Sequence, residues 1–424
     1  MSREYVTMEV QTARARAGGG YPMAEITEHL STPVAGEYDV IVVGAGPAGV
    51  GAALGAARHG ARTLLIDRLN CLGGAWTAGY MNPLFDAENK GGIVRELIRA
   101  LDERGAWGGF RKMSFHYEYM KRILDEKMAE AGVEVLLSTV FSRALTEGKT
   151  VTGIVVENID GRRAYLAKTV IDCTGDGHVA ASAGCPFEIG DDEGRIEGCQ
   201  AMTLMFLVGN LPDRYAQAFD GLMAGPLLDE LYRKAGKVSP FRYPYIIPVP
   251  NTHFAVVQFT HMYAYDPTSA KDVAAATAEG RRQMLEAFEL LRAGCEEFRN
   301  LDLISSAPVL GIRESRRIIG EYRLTEKDLF GGQGDISDPA CLVAFNVDIH
   351  NREGCAQVLR RVVPYQIPVR AMIPRGYRGI MVAGRCISGS HEAMASYRVT
   401  ADCCQMGETA GTVAAEAARK SESF

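Results

Sequence analysis

The chain has 424 residues, of which 47% are hydrophobic and 23% charged, and its formal net charge is −6. Because a single hydrophobic core stops growing near about 250–300 residues, this length predicts two or three structural units with room for a large buried cofactor. The ordinary composition argues against long disorder, and the negative charge argues against nucleic acid or anionic lipid as a partner.

The first 36 residues are polar and show no period, so we expect an N-terminal arm (residues 1–36) that lies on the surface or is partly disordered. The arm lacks an apolar signal core, and the uncharged stretch 40–57 has too many glycines for a membrane span. The ten cysteines show no C-x-x-C spacing, which favours buried thiols over metal ligands or disulfides. We therefore expect a cytoplasmic protein with no metal site and no membrane partner.

A βαβ unit opens the folded part of the chain. Residues 38–43 are a β-branched run of strand length, residues 48–59 a helix of small side chains, and residues 62–67 a second strand. Two strands that are joined through a helix run parallel, so the pattern predicts a parallel sheet.

A glycine-rich turn at residues 44–49 lies between the first strand and the helix. Gly44 permits the tight turn, Gly46 lets the backbone approach a pyrophosphate, and Gly49 lets helix and strand pack closely. The helix N-terminus supplies N–H donors and the positive end of its dipole to the phosphates. Asp67 closes the next strand and can accept hydrogen bonds from a ribose diol, which disfavours a 2′-phosphate. This order of elements predicts dinucleotide binding.

The rest of the chain separates into three parts. The predicted elements are a helix at 117–131 with Gly132 as its C-cap, a strand at 133–137, a hairpin of 151–156 and 163–171, strands at 202–208, 245–249 and 254–258, a helix at 270–291, a strand at 380–383 and an alanine-rich helix ending near 420. Between about residues 187 and 370 the pattern changes to alternating strands, many prolines and one helix. We therefore predict a cofactor domain formed by residues 37–186 and 371–424, with a substrate domain (187–370) inserted into it.

Six separated segments then appear in an order typical of one family. They are Asp67-Arg68 with Leu72-Gly73-Gly74-Ala75, Ile171 to Gly177, Asp348-Ile349-His350, Ala383 to Ser388, Ser396-Tyr397-Arg398-Val399, and Gly407 to Gly411. From about residue 37 to residue 418 the chain resembles the FAD-dependent oxidoreductases related in fold to the fumarate reductase and succinate dehydrogenase flavoprotein and to the FAD domain of glutathione reductase.

The resemblance implies an α/β fold with a Rossmann-type FAD-binding domain, whose parallel sheet is split in sequence, plus an inserted mixed α/β substrate domain. It also implies FAD as the cofactor and a set of FAD contacts. We expect the FAD to be noncovalent, because the spacing of the cysteines and histidines does not require a covalent link, although the sequence leaves this open. These expected contacts are Gly44, Ala45, Gly46, Pro47, Ala48, Gly49, Asp67, Arg68, Gly73, Gly74, Ala75, Val140, Thr174, Gly175, Asp176, Gly384, Arg385, Ser396, Arg398 and Val399.

The resemblance gives the closing helix a role as well. A helix that starts between residues 393 and 400 would direct its positive end at the pyrimidine side of the flavin, where negative charge appears on reduction. Family members commonly have glutamine-alanine where this chain has Glu408-Thr409. No second G-x-G-x-x-G follows a strand, so electrons pass to or from a partner without a dedicated nicotinamide domain; oxygen and NAD(P)H are both open.

Three side chains are the expected catalytic groups, because flavin chemistry requires the protein to position the substrate and to manage a proton. His391 follows the returning strand, His350 belongs to the matched substrate-domain segment, and Arg316 could hold an anionic substrate. Each also has a structural alternative, since histidines satisfy buried carbonyls and the arginines around Arg316 could form salt bridges between the domains. His178, His253, His261 and Tyr263 are weaker candidates.

These features predict an FAD-dependent oxidoreductase, most simply a dehydrogenase or oxidase, that transfers a hydride between a small organic substrate and flavin N5. A flavin-dependent monooxygenase, a non-catalytic flavin-binding redox sensor and an RNA-modifying flavoenzyme are the alternatives, and the last would need a basic face. The sequence leaves open the substrate, the direction of reaction and whether the protein forms a homo-oligomer.

Overall fold

A computed structural model of the chain describes residues 5–8, 28–216, 222–223, 225–350 and 357–420. Most of the predicted N-terminal arm and Cys355 therefore lie outside the described residues. The nine cysteines within these ranges are free thiols. Across the same ranges, every helix is too short or too polar to cross a bilayer.

The strands form one large sheet and several small ones. In chain order they are β1 (Tyr5–Met8), β2 (Leu30–Val43), β3 (Thr63–Ile66), β4 (Trp107–Gly108), β5 (Ser114–Phe115), β6 (Glu134–Leu136), β7 (Val140–Glu147), β8 (Thr150–Asn158), β9 (Gly161–Asp172), β10 (Phe187–Glu188), β11 (Phe206–Gly209), β12 (Leu222–Met223), β13 (Tyr245–Pro248), β14 (Ala255–Gln258), β15 (Asp302–Ser306), β16 (Arg317–Ile318), β17 (Pro339–Val343), β18 (Val347–His350), β19 (Gln357–Arg360), β20 (Tyr365–Pro368) and β21 (Ile380–Val382).

The helices alternate with strands in the first part of the chain and close it at the end. They are α1 (Pro47–Arg58), α2 (Gly92–Asp102), α3 (Tyr117–Ala131), α4 (His178–Ser182), α5 (Asp213–Ala216), α6 (Gly225–Lys234), α7 (Ala270–Gly294), α8 (His391–Tyr397) and α9 (Thr400–Lys420). Helix α3 ends at Gly132, whose left-handed backbone caps it as predicted.

The large sheet has the order β6-β3-β2-β9-β8-β7, with β1 paired to β2 and β21 paired to β9. Strands β6, β3, β2, β9 and β21 run parallel, whereas β7 and β8 are antiparallel additions. The expected α/β fold with a parallel sheet that the C-terminal segment rejoins is confirmed. The sheet is buried between helices because its central strands are continuous runs of apolar residues.

Strand β2 begins at Leu30, inside the segment that the sequence assigns to the arm. Residues 30–33 pair with β1, and Val34 lies opposite Ala164 of β9. The predicted strand covered only the apolar half, because the outer half alternates in exposure and lacks a hydrophobic run. The proposed domain limits themselves stay a prediction.

Helices α1 and α9 approach each other closely over the sheet. Gly51 and Gly55 face backbone atoms of α9, and Gly407 and Gly411 face backbone atoms of α1, so that an added Cβ at any of the four would overlap its neighbour. This reciprocal set of small residues holds the N-terminus of the last helix beside the first glycine-rich turn.

The inserted region has its own antiparallel sheet, in the order β12-β13-β14-β11-β15. A second hydrophobic core lies between this sheet and helices α6 and α7. The segment 311–318 links this region to the large sheet. Gly311 forms a bridge with Thr203, and Ile318 pairs with Phe187 of β10 and donates its N–H to the carbonyl of Cys386, in the segment that follows β21.

Candidate active site

The turn between β2 and α1 has the conformation that a bound phosphate requires. Gly44 has a φ of 98°, and a Cβ there would collide with the carbonyl group of Cys173. A Cβ at Gly49 would overlap the carbonyl oxygen of Gly44, whereas a Cβ at Gly46 would meet no described atom within 4 Å. The open side of Gly46 faces no group of the described residues, and the first N–H groups of α1 have no partner within the helix. The turn therefore offers a cradle for a diphosphate.

Asp67, at the end of β3, is hydrogen-bonded to the same turn. Its Oδ2 accepts the N–H of Ala45 at 2.5 Å, and its Oδ1 accepts a backbone N–H two residues further on at 2.8 Å. A carboxylate offers about four lone-pair positions, so Asp67 keeps acceptor capacity for a ribose diol. Arg68, its neighbour, is exposed.

The second glycine segment lies against the first. Gly73 donates its N–H to the carbonyl of Ala45 at 2.8 Å, and a Cβ at Gly74 would stand 2.9 Å from the Cα of Gly46. Ala75 follows on the exposed side. Residues 73–75 therefore form a second wall of the cradle, and their contact with FAD stays a prediction.

The segment after β9 forms the third wall, and a buried carboxylate holds it in place. Asp172 accepts hydrogen bonds from the N–H and Oγ1 of Thr174, at 3.0 and 2.7 Å, and from the N–H groups of Val179 and Ala180, at 2.8 and 3.0 Å. These bonds fix the loop that carries Gly175 and precedes α4. Asp172 was not singled out from the sequence, although it belongs to the matched segment.

Asp176 in this loop binds two guanidinium groups. Arg385 Nη2 donates to Asp176 Oδ1 at 3.0 Å, and Arg316 Nη1 donates to the carbonyl of Asp176 at 3.1 Å. Gly384 places Arg385 beside α1, because a Cβ on Gly384 would be 3.2 Å from that of Ala48. Arg385 Nη1 is buried and has no hydrogen-bond partner among the described residues. A buried donor of this kind fits a phosphate or ribityl oxygen.

Helices α8 and α9 close the site, and α9 begins at Thr400, within the range predicted for the helix start. Ser396 is buried and donates to the carbonyl of Phe345 at 2.5 Å, while Val399 is packed and 6% exposed. Arg398, between the two helices, binds Asp348 instead of solvent. Val140 begins β7 and is 51% exposed. The flavin contacts expected of these residues stay predictions.

His391 and Glu314 form a buried pair at the start of α8. His391 Nδ1 lies 2.9 Å from Glu314 Oε1, and the Glu314 side chain is 0% exposed. Glu314 also accepts a hydrogen bond from Arg317 and, at 3.0 Å, from the N–H of Gln200. Burial lowers the pKa of His391, but the hydrogen bond and charge of Glu314 outweigh it, and the pKa rises above its usual value.

His350 lies in a second buried chain of polar side chains. His261 Nε2 is 2.9 Å from His350 Nδ1, and His350 Nε2 is 3.3 Å from Asp348 Oδ2. Arg398 Nη2 donates to the same carboxylate oxygen at 3.1 Å. Burial first, and then the charge of Arg313, lower the pKa of His350 to about 4.

The carbonyl oxygen of Phe259 determines which ring nitrogens of His261 and His350 carry protons. His261 Nδ1 lies 3.1 Å from the carbonyl oxygen of Phe259, which can only accept, so this nitrogen carries the proton. His261 Nε2 is then the acceptor, and His350 Nδ1 must donate to it. Both ring nitrogens of His350 thus lie next to protein groups, whereas among the described residues His391 has a partner at Nδ1 and none at Nε2.

The residues present fit FAD. Three segments, 44–49, 73–75 and 174–176, form one cradle with an open backbone, an acidic residue for a ribose and a buried guanidinium donor without a partner among the described residues. Residues 39–424 also match the family model described as FAD dependent oxidoreductase. The chain belongs to the FAD-dependent oxidoreductase family.

Known relatives of this flavoprotein match only parts of it. A thiamine thiazole synthase of Aeropyrum pernix is 39% identical over 132 residues, which are 28% of this chain and 43% of that protein. A digeranylgeranylglycerophospholipid reductase of Methanopyrus kandleri is 31% identical over 160 residues, 35% of this chain and 40% of that protein. The chain thus spans less than half the length of these relatives.

A solved structure of a geranylgeranyl bacteriochlorophyll reductase-like protein from Thermoplasma acidophilum shares 13% sequence identity with the flavoprotein. The match covers 91% of this chain and 78% of that chain, with a TM-score of 0.48.

Two structural features of the flavoprotein's site were missed from the sequence. Lys90 is fully buried and forms ion pairs with Asp402, in the first turn of α9, at 2.8 Å and with Asp86 at 2.9 Å. Burial opposes the charge of Lys90, but Asp402 outweighs it and raises the pKa of the ammonium group. Glu408 accepts the N–H of Ile93 at 3.1 Å and so caps α2. Lys90 lies in no recognisable motif, and Glu408 lies in the matched segment 407–411 without any sign there of a contact with α2, so only their three-dimensional neighbours reveal these roles.

Proposed function

We propose that this flavoprotein transfers a hydride between a carbon of a small organic substrate and flavin N5, as a dehydrogenase or oxidase, with His391 as the proton-transfer group. The bound FAD supplies the hydride chemistry. The observation that supports His391 is its pairing with the buried Glu314 at 2.9 Å.

The pairing prepares His391 for proton transfer in two ways. Glu314 accepts a hydrogen bond from the Nδ1–H of His391. This bond fixes the orientation of the ring and leaves Nε2 as the nitrogen that exchanges protons. The carboxylate also raises the pKa of His391, which makes the imidazole a stronger base for removing a proton from an alcohol or amine. Arg317 and the N–H of Gln200 hold Glu314 in place.

His350 has a supporting part in this proposal. Its two ring nitrogens contact His261 and Asp348, and its side chain is 2% exposed. It therefore positions Asp348 and Arg398 rather than meeting the substrate. Arg316 lies at the cofactor side, on Asp176.

The test is an anaerobic visible spectrum of the holoprotein before and after addition of alcohols, amines, hydroxy acids, NADH and NADPH. Bleaching by one organic compound alone supports a dehydrogenase or oxidase, and bleaching by a nicotinamide alone supports a reductase or monooxygenase instead. A holoprotein that no reductant of either class bleaches would indicate a non-catalytic role.

Substitution of the histidine tests its role directly. His391→Gln should slow substrate-dependent bleaching by about 10²–10⁴-fold, the usual contribution of a general acid or base. His178→Gln, at an exposed histidine of α4, should change the rate by less than about twofold. Equal rates in His391→Gln and the unmodified protein would exclude His391 as the proton-transfer group.

A further inference from the structure

The buried polar cluster on the substrate side has more positive than negative charge. Arg313, Arg317 and Arg398 face the two carboxylates Glu314 and Asp348. Their formal sum is +1, and protonation of His391 would add to it. Two further acidic groups border the cluster and reach solvent. Asp192 is exposed, and Glu188, whose side chain is 38% exposed, lies 4.0 Å from Arg317 and 2.9 Å from Arg323, so the added negative charge is shared with an added arginine.

Arg313 carries the excess charge. Its Nη1 donates to the carbonyl of Ala201 at 2.7 Å and to the hydroxyl of Thr203, which are both neutral acceptors. Within the described ranges of the chain Arg313 forms no ion pair, and its residue is only 9% exposed. Burial, followed by repulsion from Arg398, lowers the pKa of Arg313 to about 9. A buried guanidinium group without a counter-ion is costly, and an anion that enters the cluster would remove this cost.

Two hydrogen-bond donors in the same cluster have no acceptor among the residues that the structure describes. They are Arg398 Nε and Gln200 Nε2, and both atoms are buried. The two side chains touch each other, since Arg398 Nη2 lies 3.4 Å from Gln200 Oε1. Gln200 is 3% exposed, so water does not replace the missing acceptor from outside. Donors of this kind, beside an uncompensated guanidinium, match a carboxylate group.

We infer that the substrate carries a carboxylate, which accepts hydrogen bonds from Arg398 and Gln200 and neutralises the charge of Arg313. The inference rests on the proposed function, because it assigns a substrate class to the same site. Held in this way, the substrate would be anchored at one end while His391, on the neighbouring helix α8, exchanges a proton at the other.

Negative charge could also come from the reduced flavin, and the first experiment separates the two sources. The oxidised holoprotein, whose flavin ring is neutral, is titrated with propanoate and benzoate and, in parallel, with propanamide and benzamide, while the flavin absorption is recorded. We expect saturable spectral changes with the carboxylates and at least tenfold weaker binding of the amides. Equal affinity for acids and amides, or no binding of either, would overturn the inference.

Two variants then locate the binding site. Gln200→Glu keeps the oxygen that contacts Arg398 but replaces the unsatisfied donor by negative charge, so carboxylate affinity should fall at least tenfold. Gln333→Glu makes the same change at a glutamine whose amide bonds to the backbone of Gln366, and should leave affinity unchanged within about twofold. A loss of affinity in Gln333→Glu equal to that in Gln200→Glu would contradict a carboxylate site at Gln200.

A measurement of the flavin midpoint potential completes the test. If the positive charge serves only the reduced flavin, Gln200→Glu lowers the flavin midpoint potential while no carboxylate binds the oxidised protein, and the inference fails. Bleaching by neutral substrates without carboxylate binding would leave the proposed function intact and refute the carboxylate. Carboxylate binding without bleaching by any compound would support the carboxylate site and refute the proposed hydride transfer.

Discussion

The cofactor side and the substrate side of the site are built on different principles. The cofactor side consists of backbone groups and glycines. Gly44, Gly46 and Gly74 have no side chain and so leave space for the cofactor, and the turn and the N-terminus of α1 supply N–H groups. The substrate side consists of polar and charged side chains whose partners are far away in sequence, such as Glu314 with His391 and His261 with His350.

The difference shows how each side tolerates change. A diphosphate is recognised by the backbone. Each glycine of its site can therefore be replaced only where there is space for an added Cβ. The substrate side depends on hydrogen bonds and ion pairs between buried side chains, so the loss of one partner affects the others. The four predictions that follow test this contrast, in order of decreasing effect.

Two glycine substitutions in one turn should separate folding from cofactor binding. Gly49→Ala places a Cβ on the carbonyl oxygen of Gly44, so the free energy of unfolding should fall by more than about 3 kcal/mol. Gly46→Ala meets no described atom and should cost the apoprotein about 1 kcal/mol or less, but FAD affinity should fall at least about 100-fold. Urea denaturation and flavin fluorescence measure the two effects. Tight FAD binding by Gly46→Ala would contradict the cradle.

The buried ion pair beneath α9 should respond like the substrate side. Lys90→Met leaves Asp402 buried without its cation and should cost about 3–5 kcal/mol in urea denaturation of the holoprotein. Adding Asp402→Asn should restore part of that loss. Lys121→Met, in an exposed pair with Glu118, should cost no more than about 1 kcal/mol. Similar losses for Lys90→Met and Lys121→Met would show that burial of the pair is unimportant.

Removal of the carboxylate beside His391 should shift a pH profile. Glu314 raises the pKa of His391, so Glu314→Gln lowers it. Substrate oxidation requires unprotonated His391, and its rate therefore rises with pH through this pKa. In Glu314→Gln the rise should move to lower pH, with a maximal rate reduced about tenfold or more. Stopped-flow bleaching across pH measures the shift, and Glu392→Gln, whose carboxylate binds Arg360, serves as control. A rise that stays in place or moves to higher pH would refute the pairing.

The smallest effect is expected for the cap of α2. Glu408→Ala removes the acceptor for the N–H of Ile93 and the negative charge at that helix N-terminus, which should cost about 1 kcal/mol. Glu416→Ala, at an exposed position of α9, the helix that also carries Glu408, should change stability by less than about 0.5 kcal/mol. Thermal denaturation compares the two variants, and equal stability would mean that Glu408 does not cap α2.

The sequence by itself determined the elements whose cause is local. The apolar run of β2, the glycine turn, the small-residue helix α1 and the cap at Gly132 each depend on a few neighbouring residues, and the structure confirms all four. The outer half of β2 was missed because its pairing with β1 and β9 is a long-range property.

Only the tertiary structure decided which polar groups share the site. Arg316 and His350 resemble catalytic candidates in sequence, yet the fold turns Arg316 towards Asp176 and encloses His350 between His261 and Asp348. The sequence names several of these residues but does not show that they are partners, because Asp176 lies 140 residues from Arg316 and His261 lies 89 residues from His350, and only packing brings them together.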